Sequence, residues 1–207
     1  MKVIINADDF GLSKSVNDAI FDLCELGSIT STSVMANMPF SDDIIQLLKF
    51  KNISIGLHVN FTQGKPVSDP SKIPTIVDNQ GFFYSKSTLI KKIGQNSVNY
   101  LDIEHELLAQ YEKLNSLVGN RLTHFDSHQG STRIKFVYKA LVSISKQLKI
   151  NLPIRVHCKN YIVNKDSKIS IVEPNLLSIN KFGAKRVLLE ILFRIKRNHW
   201  RKSFITP

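Results

Sequence analysis

The chain is short of the features that mark several large classes of protein. It has 2 cysteines in 207 residues, Cys24 and Cys158, too few for a disulfide framework, which points to a reducing cytoplasm. No apolar run approaches the roughly 20 residues that a membrane span needs. The opening MKVIINADDF meets two acids directly after a short apolar run, which argues against a secretory leader. There is no internal repeat and no low-complexity tract. Acidic residues are scarce in one half only: residues 1–120 hold 10 Lys+Arg against 13 Asp+Glu, and residues 121–207 hold 18 against 4. That asymmetry admits an anionic partner. Nucleic acid is not expected, because the basic half shows neither aromatic interleaving nor a recognisable reading helix.

What is present suits a single soluble domain over residues 1–207, with a hydrophobic share of 43% that can fill a core. The apolar run KVIINA reads as a buried parallel strand that stops at Asp8-Asp9-Phe10-Gly11. Ser13 suits an N-cap for a helix carrying Val16, Ile20, Leu23 and Leu26, with Gly27 as its terminating glycine. Further strands are expected over Ile29 to Asn37, Ile53 to Val59, Leu122 to Asp126 and Ile154 to His157. Helices are expected over Asp42 to Phe50 and Ile134 to Leu148, and a longer one carries Leu101, Leu107, Leu108, Tyr111, Leu114 and Leu117 up to Gly119. Asn60 to Ser85, rich in Pro and Gly, reads as a long loop with a small hairpin around Asn79–Gly81. Residues 159–180 are weakly patterned, and a last helix of mixed apolar and basic residues runs over about 182–202. Strand–helix alternation of this kind makes an α/β fold with a parallel sheet.

Three of these strands end in residues able to bind a metal: Asp8-Asp9, His58, and His124 with Asp126 and His128. Ends of this kind are where α/β barrels and open α/β sheets put their active sites. One aspartate and two histidines would leave a divalent ion with open positions, and a second carboxylate beside it could serve as base. An adjacent Asp-Asp pair fills both roles only if the backbone turns between them, a turn that Gly11 would permit. Taken singly, each motif has a plain structural reading: a turn before a helix for Asp8-Asp9, a satisfied core histidine for His58. Their joint placement at three strand ends favours a site.

The segments NADDFGLSKSVNDAI, TSTSVMAN, GLHVNFTQGKPV and THFDSHQG, in this order and spacing, resemble the YdjC-type carbohydrate deacetylases, which include chitooligosaccharide deacetylase and hopanoid-associated deacetylase-like proteins. The resemblance covers essentially the whole chain. It implies a distorted TIM-like (β/α) barrel and removal of acetyl from an N-acetylated amino sugar with the help of one divalent metal ion, magnesium or zinc. Position by position, it makes Asp9, His58 and His128 the metal ligands and Asp8 the base that activates water. Arg155 would orient Asp8, with Asp126 and Asn60 touching substrate.

The chain also departs from the family pattern. Gly130 and Thr132 stand where two further histidines are expected, and no segment matches the later Cys-His-Pro-Gly-like motif whose histidine suits a general acid. His157-Cys158 has the wrong order for that motif, and His199 lies in the basic helix. The closing RKSFITP resembles a segment that continues in relatives into the last barrel units, so the barrel is expected to be incomplete at its C-terminal end. The competing reading is a catalytically impaired member that only binds carbohydrate, metal or a membrane surface. The helix over 182–202 would supply peripheral membrane contact, and an uncovered apolar stripe would favour a homodimer.

Overall fold

The computed structural model describes residues 4–155, together with the backbone of residues 161–163 and 169–171. Four strands, β1 (Asn6–Phe10), β2 (Ser31–Val34), β3 (Ser54–Val59) and β4 (Leu122–Ser127), form one parallel sheet in the order β1-β2-β3-β4. This is the α/β fold with a parallel sheet that the sequence implies. Each strand lies beside its predecessor, with no reversal of direction across the sheet. Ile154 pairs in parallel with Phe125 beyond β4, and the Arg155 amide donates to the Phe125 carbonyl at 2.7 Å. A single parallel bridge thus stands where the strand from Ile154 was expected to begin; its expected end at His157 lies outside the described residues, as do Cys158, His199 and the basic helix over 182–202.

Each strand is short and contributes large apolar side chains to the core. Phe10, Val34, Ile55, Leu57, Val59 and Phe125 belong to one buried cluster with Ile20, Ile44, Leu47, Leu107, Leu114, Val137 and Leu141 from the helical elements. Those elements are α1 (Lys14–Glu25), a 3₁₀ turn over Ser41–Lys49, α2 (Lys86–Gly94), α3 (Tyr100–Val118) and α4 (Lys135–Gln147). Ser13 caps α1 by accepting from the Val16 amide, and Gly27 follows at φ +64°, a conformation glycine adopts without strain. Leu26, expected on the buried stripe of α1, is exposed because it already stands past the last helical turn. Leu101 is likewise exposed in the first turn of α3. α2 was not expected from the sequence; it starts inside a polar stretch, on the Ser85 cap that accepts from Thr88. Among the described residues, no helix is long and apolar enough to cross a membrane.

The segment Asn60 to Ser85 is better anchored than a long loop suggests. Buried polar residues of α3 hold it through its backbone. Glu106 accepts from the amides of Val67 (3.0 Å) and Ser68 (2.9 Å), and Asp102 accepts from Thr75 (2.9 Å). Gln110 exchanges two hydrogen bonds with the Asn60 backbone, at 3.1 and 2.6 Å. A 3₁₀ turn over Pro70–Lys72 and a single antiparallel bridge from Val77 to Phe83 complete it, the bridge forming the expected hairpin around Asn79–Gly81. Glu106→Ala would leave the two amides and the Gln110 side-chain donor without their acceptor. At about 1–3 kcal/mol for each buried donor left unpaired, stability falls by about 2 kcal/mol or more, measurable by urea denaturation.

Within Cys158–Pro207, a separate unit, β5 (Tyr161–Val163) and β6 (Ile169–Ile171) form an antiparallel pair, with Tyr161 opposite Ile171. The weak patterning of 159–180 hid this pair, because each strand is only three residues long.

Candidate functional site

The C-terminal ends of β1, β3 and β4 gather the acidic and imidazole side chains. Asp8 and Asp9 would face opposite sides of a regular strand. Here the register slips between Ala7 and Phe10, and Asp9 itself takes φ +69°. The turn that lets both carboxylates serve one site is therefore made at Asp9, before Gly11 is reached. Aspartate is among the few non-glycine residues that tolerate this conformation.

A single oxygen of Asp9 is the focus of the site. Its Oδ1 lies 2.8 Å from Nδ1 of His128 and 3.1 Å from Nε2 of His58. Both imidazoles are buried, while Asp9 is about one-third exposed, so the cluster opens to solvent on the carboxylate side. His58 is engaged at its other nitrogen too: Nδ1 lies 3.0 Å from Ser33 Oγ and 3.4 Å from Asp126 Oδ2. His128 has Gln63 Oε1 at 2.9 Å from Nε2.

Arg155 lies beside the cluster. Its Nη1 donates to Asp8 Oδ1 and to Asp126 Oδ2, each at 2.7 Å. Asn6 donates to the same Asp8 oxygen at 2.6 Å. Asp126 and Asn60, expected to touch substrate, are both wholly buried and committed to supporting bonds. Asp126 accepts from Ser33, Arg155 and the Ser127 amide. Asn60 Oδ1 accepts from the amides of Thr62 and Gln63, while its Nδ2 donates to Asn37 Oδ1 and the Gln63 carbonyl. In these positions Asp126 braces His58 and Arg155, and Asn60 shapes the turn that carries Gln63. His124, which the sequence grouped with the cluster, has its ring against Gly56 on the neighbouring strand, in space that any larger residue at 56 would fill.

Charge balance follows from this packing. Burial pushes the Asp9 carboxyl upward, but hydrogen bonds from His128 and His58 outweigh it and hold the group well below the usual carboxylate range. Asp126 behaves alike: burial raises it, and His58 together with Arg155 brings it well below that range. For His58, burial favours the neutral ring, yet the bonds to Asp126 and Asp9 prevail and raise it to about 9.

The donor chemistry fits a divalent cation at Asp9, His58 and His128. The three ligand atoms lie within 4.8 Å of one another, and two of the groups are buried. A carboxylate oxygen facing two imidazole nitrogens is the hard-and-borderline donor set suited to zinc and similar ions. Asp8, His58 and Asp126 form a second compact group. That set fits a cation poorly, because the Arg155 guanidinium already bonds both of its carboxylates.

The residues standing in place of the family's further histidines have structural work. Gln129 and Gly130 take φ +52° and +67°, turning the chain sharply after His128. Thr132 is buried, and its Oγ1 and amide both meet Ser127 Oγ at 3.1 Å, closing the end of β4. The sequence did not single out Ser33, Asn6 or Gln63. All three lie inside the quoted segments NADDFGLSKSVNDAI, TSTSVMAN and GLHVNFTQGKPV, which was the available signal.

Comparisons with known proteins give the chain its family. A family model described as YdjC-like protein matches residues 2–202. A carbohydrate deacetylase of Thermoanaerobacter pseudethanolicus is 36% identical over 154 residues, covering 74% of this chain and 59% of the relative. Carbohydrate deacetylase 2 of Listeria innocua is 34% identical over 160 residues, covering 76% and 61%. Among solved structures, one from Enterococcus faecalis, named as a proposed cellobiose-phosphate cleavage protein, superimposes with a TM-score of 0.65 at 26% identity, over 80% of this chain and 60% of that one. The chain thus spans about 60% of the length of the first two relatives.

Proposed function

Because the chain belongs to the YdjC-like family, we propose that it is a metal-dependent carbohydrate N-deacetylase that hydrolyses the acetamide of N-acetylated amino sugars. The observation carrying this reading is the convergence of His58 and His128 on one oxygen of Asp9, with Asp8 beside it in the grip of Arg155. The β1-β2-β3-β4 order supports a barrel, since a barrel adds each parallel strand beside the last whereas a doubly wound sheet reverses direction.

Asp9, His58 and His128 would hold the ion. When bound, a divalent ion lowers the pKa of its water and polarises the acetamide carbonyl. Asp8 is the base. Arg155 and Asn6 both bond its Oδ1, which fixes the carboxylate plane and leaves Oδ2 as the oxygen that accepts the proton from the attacking water. The protonated Asp8 then returns that proton to the departing nitrogen as the C–N bond breaks. Asp126 and Ser33 keep the His58 ring in place, a supporting shell of the kind that orients metal-ligating imidazoles.

The test is acetate release from N,N′-diacetylchitobiose by the zinc-loaded chain, with loss of release on chelation. Zinc binding without acetate would favour the second reading, a carbohydrate- or metal-binding member without turnover. The replacement of both expected histidines by Gly130 and Thr132 is the observation favouring that alternative.

A pH dependence follows from His58. Metal needs the neutral ring, but the metal-free ring keeps its proton up to about pH 9, while Asp9 is already ionised far below neutrality. Zinc uptake at pH 7 therefore expels about one proton, and apparent affinity falls about tenfold for each pH unit below 9. Calorimetric titration in buffers of different ionisation enthalpy measures this. Buffer-independent heat would show that no proton is displaced.

A further inference from the structure

We propose that Gln63 is a positioning residue that decides which nitrogen of His128 binds metal, so that the two histidines ligate through different atoms, His58 through Nε2 and His128 through Nδ1. The inference rests on the reading of Asp9, His58 and His128 as the metal ligands.

A neutral imidazole carries one N–H and one lone pair, and an acceptor placed at one nitrogen keeps the proton there. At His58 the acceptors lie on the Nδ1 side, where Ser33 Oγ is 3.0 Å away and Asp126 Oδ2 3.4 Å. Its Nε2 is left facing Asp9 Oδ1 at 3.1 Å. At His128 the arrangement is reversed. Gln63 Oε1 is 2.9 Å from Nε2, and Nδ1 faces the same Asp9 oxygen at 2.8 Å. In the metal-free chain Asp9 Oδ1 accepts at both of these nitrogens; an ion held by Asp9 would take the place of those protons, so Nε2 of His58 and Nδ1 of His128 are the nitrogens turned to it, while Ser33, Asp126 and Gln63 stay as acceptors at the other two.

Gln63 is able to fix the ring because its own backbone is fixed. Its amide donates to Asn60 Oδ1 at 3.1 Å, and its carbonyl accepts from Asn60 at 2.7 Å and from Asn37 at 3.0 Å. Asn60 is in turn held by Gln110 of α3. The side chain therefore approaches His128 from an anchored turn.

Zinc titration of the full chain, with ¹⁵N-histidine NMR of the zinc-loaded protein, tests the proposal. The expected spectrum has zinc on Nδ1 and a proton on Nε2 of His128, with the opposite pattern at His58. Gln63→Leu, which fills the space without an acceptor, lowers zinc affinity about 10–100-fold, the usual effect of losing an outer partner. Gln63→Glu, which keeps the acceptor oxygen, restores affinity to within a few-fold of the parent. A His128 ring that holds zinc through Nε2, or a Gln63→Leu chain that binds zinc as the parent does, overturns the proposal while leaving the ligand set intact. A parent chain that takes up no zinc overturns the ligand reading and this inference together.

Discussion

Asp8→Asn lowers acetate release by about 10²–10⁴-fold, the usual contribution of a positioned general base, while zinc affinity stays within a few-fold of the parent. The two effects separate because Asp8 is not among the atoms that meet at Asp9 Oδ1. Asparagine preserves the shape of the side chain and still offers an oxygen to Arg155 and Asn6, which bond the native carboxylate at 2.7 and 2.6 Å. It removes only the ability to accept a proton. The loss therefore falls on kcat. A variant that keeps full turnover would place the base elsewhere, and one that loses zinc as well would make Asp8 a ligand.

Asp9→Asn gives the opposite division. Loss of an outer-shell partner typically costs about 10–100-fold in metal affinity, so loss of the charged ligand shared by both histidines costs more than about 100-fold. Asparagine is the informative replacement because the residue sits at φ +69°, where alanine would add backbone strain unrelated to metal. Acetate release should fall with zinc occupancy and recover in part at high zinc concentration. Zinc affinity that is unchanged in this variant and in His58→Ala would show that the cluster is an ion-pair network instead of a metal centre.

The parts of this molecule that announced themselves in the sequence are those governed by local pattern. Short apolar runs marked the sheet strands, and Ser13 and Gly27 bounded α1 because caps depend on one residue at one position. The ligand candidates stood out as polar groups at the ends of apolar runs. What stayed hidden depends on distant partners. Asp102, Glu106 and Gln110 are buried on α3, which a search for an apolar stripe cannot reveal, because their burial is compensated by loop amides 27 to 50 residues away. The turn at Asp9 was anticipated but assigned to Gly11, since glycine is the usual bearer of positive φ. The complete burial of Asp126 against Arg155 and Ser33 likewise depends on partners far along the chain, which no local pattern reveals.

The anchoring of the Asn60–Ser85 segment by α3 also sets an order of events as the chain leaves the ribosome. Val67 and Ser68 wait for an acceptor 39 and 38 residues later in the chain, and Asn60 waits for one 50 residues later. Until α3 has been made, the turn bearing Gln63 has Asn37 and Asn60 to settle against but lacks the Gln110 bonds that hold Asn60. His128 is synthesised after both. The site is therefore completed by its last-made ligand on a turn already set, a sequence in which local order precedes the long-range contact it serves.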